Sequence, residues 1–281
     1  MRVVVLVENT SYENYKGEHG LSLYIEHNGM KYLLDTGSSD LFAQNAMNMG
    51  IDLSLIDVAF LSHAHYDHSS GFEKFFEMNS QAKVYLQKTA KIKQYFKIVG
   101  PLKKYIGIPD GLLDRYESRF EYISGYEEIR EGVYVLPHST PELYKRGKRA
   151  HMYGIIEGNC VADDFAHEQT VIFEENNNLF CFNSCSHGGV DNIMEEIKNA
   201  FPNKKIMMFF GGFHMMGTLG TSTCAFSEKE VKAVAEKLLA DGDTLFYSGH
   251  CTGEIAFEWM KETLGDRLIG IHSGFCVEYQ E

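Results

Sequence analysis

No stretch of the chain is apolar for long enough to cross a bilayer as a helix, which takes about 20 residues, so an α-helical membrane protein is excluded. The opening run Met1-Arg2-Val3-Val4-Val5-Leu6-Val7-Glu8 is too short for a signal peptide. Glu8 and Asn9 also stand where a cleavage region would lie, so the run reads as a first strand. The cysteines at 160, 181, 185, 224, 251 and 276 contain no CxxC spacing, which favours free thiols in a reducing compartment and a cytoplasmic protein. Repeats and low-complexity tracts are absent. Basic charge is short as well: 26 Lys and Arg stand against 39 Asp and Glu, a net charge of −13. That balance disfavours nucleic acid and membrane as partners. It leaves a small-molecule substrate, anionic ones included, because bound cations invert the local field. Oligomeric state is left open.

What the chain does have is one dense stretch, His63-Ala64-His65-Tyr66-Asp67-His68, directly after the apolar run Val58-Ala59-Phe60-Leu61. With this His and Asp content, HxHxDH arises by chance roughly once in a thousand such sequences. In an extended segment, side chains two apart point the same way, so His63 and His65 can grip one ion together. Asp67 and His68 fall where the chain turns into a helix near 71–78, facing a second ion or completing the first. A carboxylate in that first turn also suits the positive end of the helix dipole.

Around this stretch the order of elements is regular. Strands are expected at 2–8, 21–26, 31–34, 57–61 and 83–86, with a helix at 40–49. His27-Asn28-Gly29 is a hairpin signal. The region 88–130, rich in Lys, Tyr and Ile with glycine and proline breakers, is expected to be an insertion of short helices and loops. Strands resume at 132–136, 153–156, 170–173 and 179–182. A strand–loop–helix rhythm closes the chain, with helices at 190–200, 227–240 and 254–264. The second half thus repeats much of the first. Two β-sheets packed face to face, with helices outside, would bury the pattern in a single α+β domain over 1–281.

The remaining chemistry also falls at strand ends, where a scaffold presents functional groups. His187 and His250 each lie between a strand and a helix and read as metal ligands. His214, in a Gly-Gly loop, reads as a substrate or acid–base group, and His19 as a residue lining the site. Asp35 reads either as a turn residue or as an acceptor that orients the histidine loop, since metal-bound histidines usually give their other N–H to such a group. Cys185 and Cys251 flank proposed ligands. Either thiolate suits a soft metal, although free cysteine is more often buried packing. Asp163 and Asp164 read as a solvated acidic loop. His27, His138, His151, His167 and His272 read as surface or core residues.

Taken together, Asp35-Thr36-Gly37 after a strand, the HxHxDH stretch, and the strand-end residues His187 and His250 resemble the metallo-β-lactamase superfamily. Glu18-His19-Gly20-Leu21-Ser22, Cys185-Ser186-His187, Gly211-Gly212-Phe213-His214 and His250-Cys251-Thr252-Gly253 are similar to one branch of it, the dihydropterin-ribofuranosylaminobenzene-phosphate synthase-like proteins. The resemblance implies a four-layer αβ/βα sandwich of two mixed sheets. It also implies two metal ions, zinc with manganese or iron as alternatives. His63, His65 and His187 would hold one ion, and Asp67, His68 and His250 the other. Typical dinuclear members place a bridging Asp at the end of the strand that here runs into Cys185, so this chain offers Cys185 or His187 instead. Zinc in such a site keeps a position for water, which points to hydrolysis of a small phosphoester or related ester, with Asp67 and His214 as catalytic groups and His19 and His214 contacting substrate. The alternatives are a pterin-related synthase, a di-iron oxidoreductase and a non-catalytic metal sensor.

Overall fold

The computed structural model describes residues 1–12, 14–100, 102–218 and 220–279. In spatial order its first sheet is β20 (Cys276–Glu278), β1 (Arg2–Val7), β2 (Ser22–His27), β3 (Met30–Leu34), β4 (Val58–Phe60), β5 (Lys83–Gln87) and β8 (Phe120–Ile123). The second is β19 (Leu268–Gly270), β18 (Leu245–Ser248), β15 (Lys205–Phe210), β14 (Asn178–Phe182), β13 (Gln169–Glu175), β10 (Val133–Pro137) and β9 (Glu127–Arg130). Both sheets are mixed in the same way. Strands β1–β3 pair antiparallel, and β3, β4, β5 and β8 pair parallel. Likewise β9, β10, β13 and β14 pair antiparallel, whereas β14, β15, β18 and β19 pair parallel.

The layering follows from the side-chain alternation of strands. Val3 and Val5 point to the core between the sheets, with Leu23, Phe60, Val171, Phe173, Phe182 and Phe210. Val4 and Leu6 point the other way, onto α1 (Leu41–Asn48) and α3 (Phe72–Met78) through Phe42, Ala46, Phe72 and Phe75. In the second sheet, Ile172, Cys181, Phe209 and Phe246 face outward onto α6 (Val190–Ala200), α7 (Glu228–Ala240) and α8 (Glu254–Leu264). Strands buried on both faces read as continuous apolar runs rather than alternating ones, which is what 2–7 and 206–210 show. Helix α7 starts where its sequence says it should, at a capping box between Ser227 and Glu230. The result is the four-layer sandwich of two mixed sheets implied by the resemblance.

The region 88–130 departs from the expected short helices and loops. One-turn helix α4 (Leu112–Arg115) is present, but β8 and β9 extend the two main sheets. A third, antiparallel sheet forms from β12 (Asn159–Ala162), β11 (Met152–Ile156), β6 (Gln94–Val99) and β7 (Leu102–Tyr105). The alternation of Tyr95, Phe96, Lys97 and Ile98 is a strand pattern, and cross-strand contacts such as Lys103 Nζ over the Tyr95 ring at 4.2 Å support it. Two short helices, α2 (Tyr66–Ser69) and α5 (Tyr144–Arg149), and a hairpin of β16 (Met216–Gly217) and β17 (Gly220–Cys224) complete the edge where the parallel strands end.

That edge is aligned by register. Leu34 pairs with Phe60, Phe182 with Phe210, and Phe210 with Tyr247, so the strands finish level with one another. Gly211 keeps two of these ends in contact: it has φ +142°, and a Cβ there would lie 1.9 Å from the Asn183 carbonyl oxygen. A Gly211→Ala protein is expected to lose at least about 5 °C in Tm, measured by thermal denaturation. An unchanged Tm would mean that the ends of β14 and β15 separate freely.

Candidate metal centre

Five of the parallel strand ends deliver polar groups to this edge. β3 ends in Asp35, β4 in Ser62-His63, β14 in Cys185-Ser186-His187, β15 in the Gly211–His214 loop and β18 in His250. Asp35, Ser186, His214 and His250 all have positive φ, between 47° and 62°, although none is glycine. Non-glycine residues in this region cost energy and cluster at functional sites. These turns aim the side chains inward across the edge instead of continuing the strand.

Asp35 organises the histidine stretch, which decides between its two sequence readings. Its Oδ1 accepts from the Ser62 backbone N–H at 2.7 Å, and its Oδ2 accepts from Ser62 Oγ at 2.6 Å and from His68 Nδ1 at 2.8 Å. Because Ser62 Oγ gives its hydrogen to Asp35, it accepts from His63 Nδ1 at 2.8 Å. The Nε2 atom of His63 therefore carries a free lone pair, and that of His68 carries one when its ring is neutral. His250 is set the same way: its Nδ1 meets Asn9 Oδ1 at 2.9 Å, and Asn9 Nδ2 donates back to the His250 carbonyl at 3.2 Å. Thr36 clasps the loop from below through the His68 carbonyl, 2.8 Å from Thr36 N.

The freed nitrogens converge. The ring centres of His63, His65 and His187 are 4.6 to 4.8 Å apart. His63 Nε2, His65 Nε2 and both ring nitrogens of His187 are buried with no hydrogen-bond partner. Beside them, His68 Nε2 lies 3.2 Å from His250 Nε2, 3.3 Å from Cys185 Sγ and 3.5 Å from Asp67 Oδ2. Cys185 Sγ belongs to two clusters of ligand atoms within 4.8 Å of one another, one with His63 and His187 and one with His68 and His250. Orphaned buried nitrogens are costly, and this set of imidazole, carboxylate and thiol matches the ligands of zinc and related divalent ions.

Charge follows the same division. Burial, reinforced by neighbouring imidazoles, holds His63, His187 and His250 neutral and pushes His65 down to about 3. At His68 the carboxylates of Asp67 and Asp35 outweigh burial and push it up to about 9. Asp67 is fully desolvated, yet His68, His19 and His250 together hold it well below the usual carboxylate range. A neutral imidazole trio thus sits beside a cluster built around a permanently ionised carboxylate.

The other expected residues are here too. His19, at the exposed rim, has its Nε2 3.2 Å from Asp67 Oδ2. His214 is half-buried, with its ring 4.0 Å from that of His187 and its Nδ1 unpartnered. Cys251 lies behind, its Sγ 3.5 Å from the Cys185 carbonyl.

Three sequence readings are corrected. Asp163 is not in a solvated loop, and His167 is not a bystander: both are buried, and they gather with His65. His167 Nδ1 accepts from the Ala64 N–H at 3.1 Å, between two of the histidines, and Nε2 faces Asp163 Oδ2 at 3.0 Å. The i, i+4 spacing of Asp163 and His167 ahead of a strand was the signal. His138 is likewise no idle core residue. It lies between two buried carboxylates, Nε2 2.5 Å from Glu168 Oε2 and Nδ1 3.0 Å from Glu196 Oε2. Glu168 in turn accepts from the backbone N–H groups of His187 and Gly188 at 2.9 and 3.0 Å, so this triad fixes the His187 turn from behind. His27, His151 and His272 lie away from the cluster.

Part of this cluster lines a cavity of about 940 Å³. Its floor carries His65, Asp67, Cys185, His187 and His250, and its walls come from β6, β7, α5 and the β16–β17 hairpin. Among the described residues no helix is long and apolar enough to cross a membrane.

Comparison with known proteins agrees with this geometry. Residues 15–142 match the metallo-beta-lactamase superfamily. Tm1679, a metal-dependent hydrolase of the beta-lactamase superfamily, superimposes with a TM-score of 0.83 at 28% identity, over 100% of both chains. An uncharacterized protein of Methanocaldococcus jannaschii is 28% identical over 76% of this chain and 80% of its own length. The same organism's 7,8-dihydropterin-6-methyl-4-(beta-D-ribofuranosyl)-aminobenzene-5'-phosphate synthase is 22% identical over 99% of this chain and 97% of its own length. Strand-end histidines at the shared edge of two mixed sheets, the match of residues 15–142 and a structural likeness along the whole chain lead to one conclusion: this protein is similar to the metallo-beta-lactamase superfamily and has its fold.

Proposed function

We propose that the protein is a metal-dependent hydrolase that cleaves a small phosphoester or a related ester at this centre. The observation that carries the reading is the set of buried, unpartnered nitrogens of His63, His65 and His187, of which His65 and His187 line a large cavity. In this reading they hold one divalent ion, zinc by their chemistry, and Asp67, His68 and His250 hold a second. Cys185, within reach of both groups, stands where a shared ligand is needed. A divalent ion there supplies Lewis acidity towards water and towards a substrate oxygen.

The chain's own groups do the rest. Ser62, Asp35 and Asn9 face the Nδ1 atoms of His63, His68 and His250, which leaves Nε2 as the free nitrogen of each neutral ring; His68, protonated without metal, would give up its Nε2 proton on binding. Asp67 remains ionised and can hold the attacking water by accepting its hydrogen. His214, beside His187 and lining the cavity, is placed to give a proton to a leaving oxygen. His19, paired with Asp67 at the rim, is placed to contact the substrate. Likeness to the archaeal synthase over nearly the whole chain supports a second reading, condensation onto an aromatic phosphate at the same centre.

Metal content by plasma mass spectrometry, with phosphodiester and phosphomonoester turnover on the same samples, tests the proposal. About two ions per chain are expected, with both metal and turnover lost in a His187→Ala protein. Metal without any ester turnover across the panel would favour the synthase reading. Failure to take up metal after reloading would remove both readings.

A further inference from the structure

We propose that the cavity above the centre is built for an organic anion with a ring-sized apolar body, a phosphate in the reading above, and that Arg146 and Lys104 select for its charge. The inference rests on the proposed phosphoesterase reading and names its substrate class. Inorganic phosphate or a methyl ester would leave most of the roughly 940 Å³ empty. That volume lies in the range of pockets for drug-sized ligands. The third sheet and the segments after β7 and β12 contribute Phe96, Ile106, Met152 and Phe165 to the lining, and Phe226 lines the same cavity. Phe165 lies parallel to the His187 ring at 4.9 Å, with 13° between the planes, so the apolar wall runs down to the centre itself.

The cations along the cavity are of two kinds. Lys145 is paired with Glu142 at 2.7 Å, and Arg149 with Glu230 at 2.7 Å. Neither Arg146 nor Lys104 forms an ion pair among the described residues. Arg146 gives only its Nε, to the His187 carbonyl at 2.8 Å, while its terminal nitrogens keep no hydrogen-bond partner among the described residues. It is partly buried, with Phe226 beside it. A desolvated guanidinium with two free donor edges calls for an anion. Lys104, which also lines the cavity, lies over the Tyr66 ring at 5.6 Å, next to the histidine stretch. A ligand whose phosphate sits at the centre and whose ring lies against Phe96, Ile106 and Met152 would pass between these two charges.

The test uses three non-hydrolysable probes on the metal-reconstituted protein by titration calorimetry: 1-naphthylmethylphosphonate, methylphosphonate and the neutral 1-naphthalenemethanol. The naphthyl phosphonate is expected to bind at least about tenfold more tightly than methylphosphonate. Arg146→Gln, which keeps a donor for the His187 carbonyl, and Lys104→Met should each weaken both phosphonates by about tenfold and leave the alcohol unchanged. Phe96→Ala should weaken the two naphthyl probes alone. Equal affinity for the two phosphonates, or phosphonate affinities untouched by both charge variants, would overturn the inference. Metal content on the same samples separates the failures: absent metal defeats the functional reading, whereas normal metal with no discrimination among probes defeats only this one.

Discussion

A His68→Ala protein is expected to be destabilised even before metal is added, by roughly 3–5 kcal/mol, the usual cost of removing one partner from a buried ionic group. His68 is fully buried and faces Asp35 and Asp67 at 2.8 and 3.5 Å. Removing it leaves both carboxylates desolvated without their shared cation. The loss would be read by urea denaturation of chelator-treated wild type and variant. The second half of the effect concerns metal. A ligand that binds only the folded state raises stability by mass action, so zinc should raise the wild-type Tm strongly and the His68→Ala Tm far less. A His68→Gln control keeps an uncharged polar group near Asp35 and separates lost packing from lost coordination. An equal zinc-induced shift in all three proteins would take His68 out of the ligand set.

Much of this centre is legible in the sequence because local rules govern it. The HxHxDH stretch stands out by residue type and spacing alone, although the chain bends at His63-Ala64 and α2 starts at Tyr66 where the spacing predicts an extended segment, and the glycine-flanked histidines at 187 and 250 mark other strand ends. Helices α6, α7 and α8 follow from their periodicity and, for α7, its capping box. What escapes is set by contacts distant in sequence. His167 reads as an ordinary histidine until Ala64, more than 100 residues away, is seen to donate to it. His138, Glu168 and Glu196 come from a strand end, a loop and a helix, and only the fold makes them one group. Region 88–130 is misread because Gly100 and Pro101 hide the two-residue period of β6. Arg146 carries no motif at all. Among the described residues it has no carboxylate ion-pair partner, and that is visible only when the neighbours are in place.

The His138 triad yields the second large effect, one with a characteristic pH dependence. Both ring nitrogens face carboxylate oxygens, so both carry hydrogen and the ring is an imidazolium. Burial opposes the charge, but Glu168 and Glu196 outweigh it and push His138 up to about 9. Arg146 is the other charge near Glu168, and the Ser139 and Thr140 N–H groups bind the second oxygen of Glu196, each at 2.8 Å. A folded-state value above the unfolded one means that the stabilisation is complete below pH about 6.5 and is lost as pH rises to about 9. The shift corresponds to on the order of 3 kcal/mol. His138→Gln should therefore be most damaging at pH 6, and the stability gap to wild type should narrow steadily up to pH 9.5, measured by denaturation of the metal-free proteins at each pH. A gap that stays constant across this range would show that His138 is neutral throughout. Because Glu168 also holds the His187 turn, the same variant should lower zinc affinity by about 10- to 100-fold, although His138 touches no proposed ligand. A loss of stability with unchanged zinc affinity would confine the triad to the core, and a loss of both would make it the rear support of the metal centre.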